Sequence, residues 1–204
     1  MSAGQPFRVT VYASSSERVD RAYFAVAEEL GRRIAERGWD LVWGGGRHGL
    51  MGAVSRGARA AGGRTIGVIL QDFVDKNVHC PDAHEMTSVQ DMRLRKRGLD
   101  EASDAFVALP GGFGTMEELL EVLSWKQIGL HRRPIVLLDA NGYWRPLLAM
   151  FEHAFAGGFV QPHYRGLYSV AVDPAEAIAQ IVEPARRTTA PHDAPLDPRG
   201  GGTA

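Results

Sequence analysis

Short apolar runs rich in β-branched residues alternate with segments of helical period along most of the chain. These runs predict β-strands over Arg8–Tyr12, Asp40–Trp43, Thr65–Leu70, Met86–Val89, Ala105–Leu109, Pro134–Leu138 and Leu167–Val172. The segments between them predict helices over Val19–Arg37, Leu50–Ala61, Asp91–Ala102, Thr115–Ile128, Trp144–Ala156 and Pro174–Val182. Such alternation is typical of βαβ units, so we predict a single α/β domain around a parallel sheet of about seven strands.

Two segments depart from this alternation. Gln71–Glu85 has no clear period and is long enough to be a functional loop. After Glu183 the composition shifts to Pro, Gly, Thr and charged residues. We therefore place the domain at residues 1–183 and expect residues 184–204 to form a disordered tail.

Composition narrows the partners of this domain. A formal net charge of -1 and a pI near 6.7 provide no basic field for nucleic acid or anionic membranes, so we expect neither as a partner. The chain shows no apolar signal segment and no apolar run approaching the roughly 18 residues of a membrane span. Cys80 is the single cysteine, as a reducing compartment allows. A cytoplasmic protein with a small-molecule or protein partner is the expectation.

Ligands bind at the carboxyl ends of parallel strands, so the turns after the first two predicted strands are candidate sites. The first turn contains Ser14 among three serines, whose hydroxyls can bind an anion or cap the next helix. The second turn, Gly44–Gly52, includes Gly45 and fits the dinucleotide pattern G-x-G-x-x-G at Gly44, Gly46 and Gly49. These glycines indicate a close backbone approach, either to a packed neighbour or to a phosphate-bearing ligand.

The turn after the fifth predicted strand, Pro110–Thr115, carries the strongest signal. Gly111, Gly112 and Gly114 remove side chains immediately before a helix, where free amides and the helix dipole attract anions. Thr115 adds a hydroxyl. With Glu118, it also forms a capping-box pattern, which explains the threonine and the glutamate but not the glycines.

Two charged residues near this turn are candidates for catalysis. Glu118 lies beside the apolar stripe predicted from Met116, Leu119, Leu120 and Leu123. Its predicted place in the first helical turn favours the anion, and so a role as base or electrostatic partner. Arg95 lies on the apolar stripe of its helix, where an unpaired guanidinium is costly. A phosphate, a purine or Glu118 can be its partner.

Other site classes have weaker support. His79 and His84 flank Cys80 at a spacing open to metal ligation, but no second ligand cluster accompanies them, and we expect no metal and no cofactor. The chain lacks a Gly-Lys pair and therefore a Walker phosphate loop. Only three lysines are present, which leaves few candidates for Schiff-base chemistry.

Four segments together resemble the LONELY GUY family of phosphoribohydrolases, long misannotated as lysine decarboxylases. The segments are Gly44–Gly52, the Met92-x-x-Arg95-Lys96 pattern, Pro110–Glu118 and Trp125–Pro134, and the resemblance extends from about Arg8 to Val182. It implies a Rossmann-like three-layer domain and a homodimer with its site near the interface. The implied reaction is hydrolysis of the N-glycosidic bond of an N6-modified adenosine 5'-monophosphate to free base and ribose 5-phosphate.

The resemblance also implies roles for individual residues. Arg95 and Glu118 take the catalytic positions, and Gly111–Thr115 takes the phosphate-binding position. Ser14, Gly44, Gly45, Met92 and Lys96 complete the expected substrate site. The chain departs from the family at Tyr12-Ala13, where Cys-Gly is usual, and near Asn77, where a glutamate is common, so plain AMP stays open as a substrate.

Three other functions are weighed against this one. A noncatalytic nucleotide or molybdenum-cofactor carrier would keep the phosphate turn but lack the pair of Arg95 and Glu118. A pyridoxal-dependent lysine decarboxylase would need a lysine signature that the chain lacks. A nicotinamide dehydrogenase would require Gly44–Gly49 to be the cofactor site.

Overall fold

The computed structural model describes residues 6–183. Its strands are β1 Arg8–Tyr12, β2 Asp40–Trp43, β3 Thr65–Leu70, β4 Glu85–Val89, β5 Ala105–Ala108, β6 Ile135–Leu138 and β7 Ser169–Ala171. Its helices are α1 Arg21–Glu36, α2 Gly49–Ala60, α3 Gln71–Asp75, α4 Met92–Glu101, α5 Phe113–Gln127, α6 Arg145–Ala156 and α7 Pro174–Val182. Short 3-10 turns span Ala140–Gly142 and Pro162–Leu167.

All seven strands form one parallel sheet in the order β4-β3-β2-β1-β5-β6-β7. The chain builds outward from β1 to β4, returns to the other edge of β1 with β5, and builds outward again to β7. In such a sheet a crevice opens where the winding reverses, outside the carboxyl ends of the two central strands. Here that point lies between β1 and β5, which confirms the predicted architecture.

Side chains of the central strands alternate between two apolar layers, as strand geometry requires. Val9 and Val11 of β1 face a core shared with α1, α2 and α7. Tyr12 faces the opposite core, where Phe106, Leu119 and residues from α5 and α6 pack. The result is the predicted three-layer domain, with α4 and α5 on the same side of the sheet as Tyr12.

Several element boundaries differ from the sequence predictions by one or two residues, and one short helix was not predicted. The segment Gln71–Glu85 opens with the short helix α3, although the rest of it up to β4 is irregular. The last strand begins at Ser169 because the residues before it form a 3-10 turn. Helix α5 begins at Phe113, two residues earlier than predicted. The predicted tail, residues 184–204, lies outside the described residues.

Within residues 6–183, no helix combines the length and the apolar character needed to cross a bilayer.

Candidate functional site

A buried ion pair joins α4 to α5 above the carboxyl end of the sheet. Arg95 Nη1 donates to Glu118 Oε1 at 2.8 Å, and the two side chains are only 9% and 13% exposed. Sequence reasoning placed both residues in the site and left Glu118 as one of three partners for Arg95. The geometry identifies Glu118 as the partner that satisfies the guanidinium within the chain.

Backbone carbonyls fix the rest of the guanidinium. Arg95 Nε donates to Val68 O at 3.2 Å, and Nη2 donates to Gly44 O at 3.4 Å. A Cβ on Gly44 would lie 1.9 Å from Nη2, so only glycine leaves room for the arginine. Gly44 therefore contributes to the site by admitting Arg95 beside the end of β2.

Glu118 lies deeper in its helix than the sequence suggested. Because α5 begins at Phe113, Glu118 is in the second turn, and the prediction that it lies in the first turn is wrong. Burial raises the pKa of the Glu118 carboxyl above its ordinary value, and the positive charge of Arg95 opposes part of that rise. A carboxylate with a raised pKa is a better proton acceptor than an exposed one.

The turn Gly111–Thr115 forms the N-terminus of α5. Gly112 is the N-cap residue and offers no side-chain cap, so the predicted capping box of Thr115 and Glu118 does not form. The ladder of the helix starts with the bond from Met116 N to Gly112 O at 3.0 Å, which leaves the preceding amides outside it.

At two positions of this turn, neither a contact inside the protein nor backbone strain requires glycine. A Cβ on Gly112 or on Gly114 would meet nothing within 4 Å, and neither residue has a positive φ. Gly111 differs, since a Cβ there would lie 2.1 Å from Thr115 Oγ1. The turn thus presents bare backbone to an open volume, the arrangement that seats phosphate groups at helix N-termini.

Three donors from distant segments hold carbonyl groups of this turn and of the residues that lead into it from β5. Ser14 N donates to Pro110 O at 3.2 Å, and Trp144 Nε1 donates to Ala108 O at 3.3 Å. The Tyr143 hydroxyl donates to Gly111 O. Sequence reasoning missed Tyr143 and Trp144, because nothing in the local pattern links the start of α6 to a turn some 30 residues earlier.

The second glycine-rich turn, Gly44–Gly52, proves to be a packed connection. The amides of Leu50 and Met51 donate to Ser14 O at 2.8 and 3.2 Å, and Gly49 N donates to the Glu17 carboxylate at 2.7 Å. The N-terminus of α2 is therefore already capped by the turn after β1. Because these amides already have acceptors, the glycines serve close packing, which was one of the two alternatives. A dinucleotide site would need the same amides for the pyrophosphate, so that interpretation of the turn is contradicted.

The serines after β1 serve the turn itself. Ser14 is buried, and its hydroxyl accepts from Ser16 N at 3.1 Å. Capping of α1 falls to Asp20, whose carboxylate accepts from Ala22 N at 2.8 Å, so the serines do not cap that helix as one alternative held. The backbone of Ser14 nevertheless touches both glycine-rich turns and joins the two sides of the crevice.

Met92 and Lys96 project from α4 near the ion pair. Met92 Sδ lies 3.6 Å from Arg95 Nη1, with the side chain partly exposed. The Lys96 ammonium is held by Glu121 at 2.8 Å and by Glu117. Met92 thus borders the centre directly, whereas Lys96 is tied to α5 by two carboxylates. Gly45 follows Gly44 with a positive φ, and a Cβ there would lie 2.9 Å from Ile69 and Met86.

The two histidines weighed as metal ligands lie at opposite ends of the strands. His79 pairs with Gly46, after the carboxyl end of β2. The His84 ring lies 3.2 Å from Thr65 N, at the amino end of β3. Within residues 6–183, no group of three or more His, Cys, Asp and Glu side chains is placed to hold a metal ion.

Comparison with known proteins shows the relatives of this chain. Residues 51–181 match a protein family described as "Possible lysine decarboxylase". A cytokinin riboside 5'-monophosphate phosphoribohydrolase of Rhodococcoides fascians is 44% identical over 184 residues, which cover 88% of this chain and 91% of the relative. The Arabidopsis thaliana protein LOG7, with the same activity in its name, is 39% identical over 86% of this chain and 81% of its own.

Solved structures share the fold. A Moco carrier protein from Chlamydomonas reinhardtii superposes with a TM-score of 0.68 at 28% identity, over 88% of this chain and 97% of the other. A molybdenum cofactor binding protein from Rippkaea orientalis gives the same TM-score and coverage at 24% identity, which shows likeness of fold alone.

Proposed function

This chain belongs to the family described as "Possible lysine decarboxylase", whose relatives named above are cytokinin riboside 5'-monophosphate phosphoribohydrolases, and we propose that it is an enzyme of that type. Its substrate is an adenosine 5'-monophosphate, with or without an N6 substituent. Its reaction is hydrolysis of the N-glycosidic bond to the free base and ribose 5-phosphate.

One structural observation carries this proposal. A single helix, α5, bears an open phosphate seat at its N-terminus and the buried Glu118 carboxylate one turn further on. At ~1.5 Å of rise per residue, Gly114 and Glu118 are about 6 Å apart along the helix axis. A nucleotide whose phosphate lies on Gly112–Gly114 can therefore present its sugar to Glu118.

The chemistry of Glu118 follows from its setting. As the C1'–N9 bond breaks, its electron pair moves to the base and positive charge develops on the sugar. The Glu118 anion stabilises that charge and accepts a proton from the water whose oxygen bonds to C1'. The departing base takes up one proton and Glu118 releases the one that it accepted, so nucleotide and water give base and ribose 5-phosphate in balance.

Arg95 orients the catalytic carboxylate. A guanidinium stays protonated at any working pH and is a poor proton donor, so it does not act as the general acid. Its bonds to Val68 O and Gly44 O fix its position, and its bond to Glu118 fixes one carboxylate oxygen. The other oxygen of Glu118 is then the one that faces sugar and water.

We also propose that the protein is a homodimer formed through the outer face of α5. That face carries Phe113, Leu120 and Ile128, which are 92%, 42% and 53% exposed, although the opposite face of α5 is already buried against the sheet. Large apolar side chains that stay exposed opposite the buried face of a helix indicate a contact surface, here with Glu117 among them. Since Phe113 follows Gly112 directly, a second copy bound there would lie beside the phosphate seat.

Lysine-dependent decarboxylation, which the family description suggests, finds little support in the described chain. Lys76 is paired with Asp72 at 2.6 Å, and Lys96 is held by two carboxylates. Lys126 lies toward the far end of α5, about 20 Å from Phe113 at ~1.5 Å per residue. Lys96, the amine near the ion pair, is the one tied to Glu117 and Glu121.

The carrier alternative has the solved structures in its favour. The Chlamydomonas protein shares the fold at 28% identity. The relatives named as phosphoribohydrolases are closer in sequence, at 39–44% identity over most of the chain. The buried Arg95–Glu118 pair gives the site a reactive centre that a carrier does not require.

The decisive experiment compares three proteins, the wild type, Glu118→Gln and the control Glu101→Gln, an exposed glutamate at the end of α4. Each is incubated with AMP and with N6-isopentenyl-AMP, and base and ribose 5-phosphate are quantified by chromatography. We expect release by the wild type and the control, and a loss of about 10²–10⁴-fold in kcat for Glu118→Gln. The ratio of the two wild-type rates gives the base preference. Binding of AMP without release of base would instead support the carrier.

A further inference from the structure

Tyr143 holds the turn Gly111–Thr115, the proposed phosphate site, from the side away from the open volume. The Tyr143 hydroxyl, at the start of α6, donates to the carbonyl oxygen of Gly111. That carbonyl belongs to the same peptide unit as the amide of Gly112, the N-cap residue of α5. Because a trans peptide is planar, its C=O and N–H point in opposite directions. A donor that fixes the carbonyl of Gly111 therefore also fixes the direction of the Gly112 N–H.

The Gly112 amide points away from Tyr143 and toward the open volume. Among residues 6–183, no backbone or side-chain acceptor lies within hydrogen-bond reach of this amide. A Cβ on Gly112 would meet nothing within 4 Å, so no protein atom crowds this residue from outside its own segment. The amide is thus held in one direction and left free for a ligand.

The ring of Tyr143 is itself held in place. It meets the Trp144 ring edge-on at a centroid distance of 5.0 Å and the Tyr23 ring of α1 edge-on at 6.3 Å. Edge-to-face contacts at these distances are favourable and restrict the ring. The hydroxyl consequently reaches Gly111 from a fixed position, with little entropy left to lose when substrate binds.

We propose that Tyr143 is a positioning residue for phosphate binding, which aims and polarises the Gly112 amide toward the 5'-phosphate of the substrate. A hydrogen bond accepted by a peptide carbonyl strengthens the donor at the other end of the same peptide unit. The stronger Gly112 donor therefore favours binding of ligands that carry a phosphate and leaves binding of the base and of the sugar unchanged. This inference rests on the proposed function, since it takes the phosphate to be that of a nucleotide.

Binding of the product tests the inference without turnover. Affinities of the wild type, Tyr143→Phe and the control Tyr168→Phe are measured by calorimetry for ribose 5-phosphate, for ribose and for adenine. Tyr143→Phe keeps the ring and loses only the hydroxyl. We expect ribose 5-phosphate to bind roughly two- to tenfold more weakly to this variant, the effect of losing one hydrogen bond. The other two ligands should bind as they do to the wild type.

The kinetic counterpart is a rise in KM for AMP by a similar factor with little change in kcat. Equal affinity of the wild type and Tyr143→Phe for ribose 5-phosphate would overturn the inference, as would equal weakening of all three ligands. The proposed reaction fails separately if AMP yields no base while ribose 5-phosphate still binds in a Tyr143-dependent manner, a result that would support the role of Tyr143.

Discussion

Substitution of Gly44 by alanine tests whether the position of Arg95 controls activity. The backbone of Gly44 has no positive φ, so the main chain accepts a side chain there. The added Cβ would lie 1.9 Å from Arg95 Nη2, whereas ordinary van der Waals contact begins near 3.4 Å. The guanidinium must then retreat by about 1.5 Å. It is the far end of a flexible side chain, so it can move without unfolding the domain.

We expect this displacement of the guanidinium to reduce kcat strongly and the stability of the domain moderately. Arg95 Nη1 is 2.8 Å from Glu118 Oε1, so a shift of that size breaks or redirects the bond. A misplacement of about 1 Å in a catalytic centre can cost ~100-fold in rate, and we expect Gly44→Ala to lose at least that in kcat. Overpacking costs about 1–3 kcal/mol, which lowers Tm by roughly 2–10 °C in a domain of this size.

The assay measures base release from AMP together with Tm for the wild type, Gly44→Ala and the control Gly46→Ala. A Cβ on Gly46 also meets a flexible side chain, Met51, whose Cε lies 2.7 Å away, but it does not touch the ion pair. We expect the control to keep its rate within about threefold, since a changed rotamer costs ~1 kcal/mol. A Gly44→Ala enzyme with the rate of the control would refute the reasoning.

The other predictions address the remaining parts of the site. Gly112→Ala should fold normally, since its φ is -84° and its surroundings are open, but its new methyl group occupies the volume proposed for the phosphate and should keep the phosphate from the turn. We expect affinity for ribose 5-phosphate to fall about tenfold or more, the equivalent of one lost hydrogen bond to a charged group, and unchanged calorimetric affinity would show that the phosphate binds elsewhere. The kcat/KM profile for AMP should decline toward acid with a midpoint above that of an ordinary glutamate, because the anion is the active form and burial raises the pKa of Glu118; a profile flat down to about pH 5 would contradict this. Glu17→Gln should lower the free energy of unfolding by about 0.5–1 kcal/mol at neutral pH by weakening the cap on Gly49. Because the bond to Gly49 lowers the pKa of Glu17, that difference should vanish as the pH falls through the lowered folded value, as denaturant titrations at two pH values can show. Leu120→Arg should convert a dimer to a monomer in light scattering, and an unchanged mass would exclude α5 as the interface.

Arg95 shows how far sequence reasoning reaches in this site. Its place on an apolar helical stripe required a partner, and the structure supplies Glu118 together with two carbonyl groups. The sequence did not identify which of the three candidates is the partner of Arg95. Glu118 lies 23 positions away and meets Arg95 only through the packing of α4 against α5. Local periodicity predicts that a contact is needed but not where the chain finds it.

The two glycine-rich turns show the same limit. The sequence favoured Pro110–Thr115 as an anion site and left Gly44–Gly52 open between packing and ligand binding. Tertiary contacts decide between the two alternatives for Gly44–Gly52. Gly49 donates to Glu17, 32 positions away, which closes the N-terminus of α2. Gly112 meets no such acceptor, and its turn is fixed through Tyr143, 32 positions from Gly111. Glycine spacing therefore located both turns and favoured the open one, whereas the contacts that close Gly44–Gly52 and hold Gly111 come from distant segments.

The position of β5 in the sheet has a consequence for biosynthesis. β1 pairs on one edge with β2 and on the other with β5, where Val9 faces Ala105. During translation β1 to β4 emerge first, so the second edge of β1 has no partner until nearly half of the chain has followed. An unpaired apolar edge of this kind invites pairing with other nascent chains. The strand junction beneath the proposed substrate site is thus also the one that chaperones would need to protect longest.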